Sequence, residues 1–99
     1  MTSDEIEALV LPEDFDEYAW EVEAKGVFCD AHLKYQGNEY PMTFYEIERL
    51  AQDVAEALRD GMPFFEQNLV VVRKVTKDEM IWATRRLVAA GWISKMAHE

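Results

Sequence analysis

The first 24 residues contain no lysine or arginine, and the whole chain has one cysteine and two histidines. Each scarcity excludes something. Cys29, being alone, cannot form an intramolecular disulfide and suits a reducing compartment. His32, His98 and Cys29 lack metal-ligand spacing, and Asp14-x-Asp16 lacks the further oxygens and the glycine of a calcium loop. No glycine-rich phosphate loop and no serine-centred elbow is present. The N-terminus is acidic where a secretory signal needs a basic and then an apolar region. No apolar run approaches the roughly 20 residues that cross a bilayer. These absences predict a cytoplasmic protein with no cofactor, no metal and no assigned catalytic residue.

What is present begins with charge. Asp4, Glu5, Glu7, Glu13, Asp14, Asp16, Glu17, Glu21 and Glu23 supply nine of the ten net negative charges, and from Lys25 onward eleven acids face ten bases. DNA, RNA and anionic membranes bind by releasing counterions to lysine and arginine, so this balance argues against them as direct partners. It favours a basic protein, whose capture an acidic surface accelerates at low salt. Solubility alone is the plainer explanation of the same charge.

With 99 residues, 49% of them hydrophobic, the chain makes one domain with one core. The predicted fold is α+β. A mostly antiparallel sheet of about four strands, in the order β-β-β-α-β-α, carries two helices on one face. Residues 1–17 read as an acidic N-terminal arm: Ser3 could cap a short helix carrying Ile6, Leu9 and Val10, which Pro12 would end. Residues 18–94 form the domain, and 95–99 a frayed tail.

From Tyr18 the pattern has period two, with Tyr18, Trp20, Val22 and Ala24 on one side of an expected strand and Ala19, Glu21, Glu23 and Lys25 on the other. A second strand alternates Ala31, Leu33 and Tyr35 against His32 and Lys34, and Gly37-Asn38 suits a hairpin turn into a third. Thr43-Phe44-Tyr45-Glu46 has the form of a capping box. It would open a helix with Phe44, Ile47, Leu50, Ala51, Val54, Ala57 and Leu58 on one apolar arc, and Gly61 at its end. Leu69-Val70-Val71-Val72 suggests a strand buried on both faces. Thr76-Lys77-Asp78-Glu79 caps a last helix that stops at Gly91. These devices are common to many folds and identify no family.

Two surfaces draw attention. Glu13, Asp14, Asp16, Glu17, Glu21 and Glu23 form the candidate partner-binding set. On a strand, positions two apart lie about 6.6 Å from each other, a repeat that could imitate nucleic-acid phosphates toward a basic groove. Trp82 projects from the polar side of the last helix near Arg85 and Arg86, an anchor composition for an interface and for a homodimer. The leading reading is a non-enzymatic interaction protein, such as an inhibitor, immunity factor or adaptor, binding a basic protein. The alternative is a homodimer that binds a small apolar ligand through Trp20, Tyr35, Tyr40, Phe64 and Phe65. Cys29 is expected to be a small buried hydrophobe.

Overall fold

A computed structural model describes residues 6–98, with the backbone alone for residues 6–8. The elements run β1 (Ile6–Val10), α1 (Phe15–Lys25), β2 (Val27–Tyr35), β3 (Asn38–Glu46), α2 (Ile47–Arg59), β4 (Leu69–Val72), α3 (Lys77–Ala89) and a 3-10 turn at Trp92–Lys95. One sheet has the order β1-β2-β3-β4. The β1–β2 and β2–β3 pairs are antiparallel, while β3–β4 is parallel because α2 lies between them. The expected α+β class and four-stranded, mostly antiparallel sheet are therefore found, with three helices rather than two.

The sheet's alternation decides where each helix goes. Phe28, Ala31 and Leu33 of β2, Tyr40, Met42 and Phe44 of β3 and Val72 of β4 face one side, where they meet Phe15 and Val22 of α1, Met80 and Ala83 of α3, and Ile93. Phe28 and Ala31 share that face although three residues apart, because a bulge at Cys29 and Asp30 absorbs the odd residue. Two helices cover this face, but they are α1 and α3, not the expected pair at 43–60 and 76–90. The third, α2, lies on the other.

Several expected elements are corrected. Residues 18–25 are helical: Phe15, Ala19 and Val22 recur at helical spacing toward the core, and the alternation of Tyr18, Trp20, Val22 and Ala24 is incidental. Gly26 ends α1 at φ +76°, where its N–H donates to Val22 O at 2.9 Å. An added Cβ there would sit 3.0 Å from Arg49 Cβ, so both conformation and space demand glycine. Ile6–Val10, expected within a short helix, forms an edge strand instead and makes this stretch part of the sheet. Residues 1–5 of the expected arm lie outside the described residues.

Phe44 also stays extended, since the core offers it full burial. The helix starts three residues later than the capping box predicts. Glu46 is its cap, accepting from Glu48 N at 2.9 Å and Arg49 N at 3.1 Å. The hairpin turns at Gln36-Gly37, both at positive φ, one residue earlier than expected. β4 is an edge strand with Val71 exposed, not a strand covered on both faces. The tail is tied rather than frayed at Ala97, whose N–H donates to Asn68 Oδ1 and whose carbonyl accepts from Asn68 Nδ2. Thr76 caps α3 as expected, accepting from Glu79 N at 3.3 Å, and Gly91 follows its end at φ +78°.

Phe44 is 0% exposed and Phe65 is 81% exposed. Urea unfolding should therefore show Phe44→Ala losing about 3–5 kcal/mol, while Phe65→Ala stays within about 0.5 kcal/mol of the parent.

Candidate functional site

Glu13 and Asp14 lie in the turn before α1, and Asp16, Glu17, Glu21 and Glu23 lie on it, all six exposed. The helix is kinked at Tyr18 (φ −128°, ψ 19°), where the Tyr18 ring packs edge-on against Phe15 at 5.6 Å. Phe15 in turn packs against Phe28 at 5.2 Å, which fixes the inner side of α1. At about 100° per residue, Trp20 falls nearly opposite Val22. It is 70% exposed. Glu23 stands one turn beyond it, Glu21 is its neighbour and Glu17 precedes the kink, so an indole projects from a stretch rich in carboxylates.

Local stability accounts for only part of this charge. Asp16 and Glu17 in the first turn complement the helix dipole. Glu23, near the other end, opposes it. Asp14 occupies the N-cap position without making a side-chain cap bond. Among the described residues, no ion pair within 4.0 Å involves any of the six. Bases do border them: Lys77 shares a hollow with Glu13 and Asp16, and Arg73 and Lys74 share another with Glu23. Lys25 and Arg49 share a third hollow with Glu21, so among the described residues bases border α1 on both flanks without pairing with its carboxylates.

Because these carboxylates sit on a helix, the strand repeat proposed for phosphate imitation does not exist. Trp82 is also arranged differently from the expectation. It is 50% exposed, and the cation over its ring is Arg73, at 5.2 Å, rather than Arg85 or Arg86, which are both exposed. Arg73 also makes a two-pronged ion pair with Glu79, which holds the Glu79 carboxyl below its ordinary range. The five aromatics of the ligand-binding expectation lie apart. Tyr35 and Tyr40 line one hollow with Val88 and Ile93, Phe64 packs edge-on against Tyr45, and Trp20 and Phe65 are exposed.

Cys29 is exposed in the β2 bulge, contrary to the expected burial, because the extra residue turns it away from the core. Partial desolvation, with Asp30 and Glu66 nearby, pushes its thiol up and disfavours the thiolate. Among the described residues, no group of three or more His, Cys, Asp or Glu could hold a metal ion, and no helix is long and apolar enough to cross a membrane.

Sequence reasoning missed the polar latch that holds α2. Tyr45 is on the sheet face opposite Phe44, and its hydroxyl donates to Asp53 Oδ2 at 2.6 Å. Arg49 Nε donates to Asp53 Oδ1 at 2.9 Å, and Arg49 Nη1 donates to Lys25 O at 3.0 Å. The Arg49–Asp53 spacing was visible as an i,i+4 pair, but its role depends on Tyr45 staying in the strand. Burial alone would raise the Asp53 carboxyl. Hydrogen bonds from Tyr45 and Arg49, with the Arg49 charge, outweigh that and hold it below the ordinary range. For Tyr45, burial, then the Asp53 hydrogen bond, then nearby acids raise the phenol.

A depressed folded-state carboxyl stabilises the fold fully above its unfolded pKa and loses that contribution as pH falls through the folded value. Amide protection in α2, taken relative to the intrinsic exchange rate, should therefore fall ahead of that in β2 and β3 as pH drops below about 4. In Asp53→Asn, α2 should be looser already at neutral pH, with no further α2-specific change in that window. Equal acid sensitivity of α2 in both proteins would contradict the latch.

No protein-family model, no curated protein and no solved structure matches this chain.

Proposed function

We propose that this chain is a non-enzymatic interaction protein whose α1 presents an acidic, Trp20-centred surface to a basic protein partner. One observation carries the reading: an indole 70% exposed at the middle of a carboxylate helix. A singly exposed indole is ordinary on a protein surface; what supports the reading is its position on the helix that carries the chain's densest run of acids. Against a basic partner, the ring provides a face for arginine or lysine while Glu17, Glu21 and Glu23 supply the counter-charge. Tryptophan is among the residues most enriched at the energetic centre of interfaces. A cytoplasmic setting belongs to this proposal, and the exposed, unpaired Cys29 is compatible with it.

The reading accommodates an inhibitor, an immunity factor or an adaptor, which share this recognition chemistry. Imitation of nucleic acid is not part of it, because the carboxylate repeat that motivated it is absent.

Immobilised chain, incubated with native cytosol at low salt, should retain a basic protein. Retention should fall steeply as salt rises toward about 0.5 M, where screening acts over only a few ångströms. Titration with the recovered partner should show Trp20→Ala weakening binding at least about 30-fold, the level of an anchor residue. The triple change Glu17→Gln, Glu21→Gln, Glu23→Gln should flatten the salt dependence. Binding indifferent to both salt and Trp20→Ala would refute the proposal.

A further inference from the structure

None of the residues of α2 is buried, although the helix carries a continuous apolar arc. Its orientation explains why. The latch turns Arg49 and Asp53 toward the sheet, with Arg49 reaching back to Lys25 O. On the helical wheel, Ile47, Ala51 and Leu58 lie roughly opposite Arg49 and so face outward. Ile47 is 60% exposed and Leu58 62%. Leu50, Val54 and Ala57 are half-buried beside them, and Met62 is exposed just past the helix end, where its N–H donates to Ala57 O.

The charges bordering this arc are self-complementary. Glu48 in the first turn and Arg59 in the last lie on the same flank of the arc, eleven residues or about 16 Å apart. Neither makes an ion pair within 4.0 Å among the described residues. When two identical helices pack antiparallel about a two-fold axis, like flanks meet and opposite ends coincide. Each Glu48 then stands opposite the partner's Arg59, and Ile47 lies over the partner's Leu58. A parallel pairing places unlike flanks together and makes neither charge contact. The other flank is already neutralised internally, since Asp53 is held by Arg49 and Tyr45.

We infer that α2 is a self-association surface, occupied by the α2 of a second copy in antiparallel orientation. The surface is distinct from α1, so a dimer leaves Trp20 and its carboxylates available, and the inference does not depend on the proposed partner. It also relocates the homodimer expected from Trp82: the surface that pairs is the apolar arc of α2.

Sedimentation velocity of the full chain from about 5 to 200 µM, the range suited to a small interface, should show a monomer giving way to a dimer. Leu58→Glu should stay monomeric throughout while its far-UV circular dichroism matches the parent, because no α2 side chain belongs to the core. Glu48→Arg and Arg59→Glu should each weaken association several-fold, since each change acts twice and sets like charges together. The double reversal Glu48→Arg, Arg59→Glu should restore it to within about twofold of the parent. A parent chain still monomeric at the highest concentration would overturn the inference. So would an undiminished Leu58→Glu dimer, or a double reversal no better than either single change.

Discussion

Phe44 and Tyr45 are neighbours in β3 that face opposite sides of the sheet, and what each meets fixes the arrangement of everything around them. Phe44 closes the apolar core shared with α1 and α3. Tyr45 meets no comparable apolar layer. It meets Asp53, Arg49 through that carboxylate, and the Phe64 ring. One face of the sheet is thus held by extensive apolar burial, and the other by a few polar contacts. Burial of several large side chains outweighs a part-buried hydrogen-bond network of this size, so the first face sets the stability of the fold. The second sets only the direction of α2.

That inequality leaves two helices with surfaces that the domain itself does not use. α1 is anchored by Phe15 and Val22, and its other side is free to carry Trp20 among carboxylates. α2 is held through Arg49 and Asp53 with Leu50, Val54 and Ala57 half-buried, which leaves Ile47, Ala51 and Leu58 facing outward. The two surfaces are opposite in chemistry. One is charged and should respond strongly to salt, whereas the other is apolar, with balanced charges on its exposed flank. A protein that engages a basic partner through the first and a copy of itself through the second would use both without competition.

Much of this was legible in the chain, and the failures have physical causes. Thr76 and Gly91 marked the limits of α3 because capping chemistry is local. Ala31, Leu33 and the glycine turn announced β2 and its hairpin for the same reason. The helix α1 was hidden because Tyr18, Trp20, Val22 and Ala24 imitate a strand, while its true inward spacing begins at Phe15, in a stretch that composition alone assigned to an arm. Gly26 was the available clue: a glycine just past a helical set marks a left-handed C-cap. The start of α2 was misplaced because Thr43 and Glu46 satisfy a capping pattern, yet burying Phe44 in the sheet outweighs that local bond. The candidate acidic residues were identified correctly as exposed. Their geometry, and the importance of Trp20, required the switch from strand to helix. The outward arc of α2 was not legible at all, since an amphipathic pattern does not say which side faces the fold.

The central claim is that α1 is the recognition surface, and footprinting of the complex addresses it most directly. Carbodiimide labelling of carboxylates and oxidative labelling of indoles, read by mass spectrometry, compares the free chain with the chain bound to its basic partner. The account predicts that Glu17, Glu21, Glu23 and Trp20 lose reactivity together on binding, while Trp82 and Trp92 keep theirs. Full reactivity of Trp20 and its carboxylates in the complex, with protection elsewhere, would contradict it.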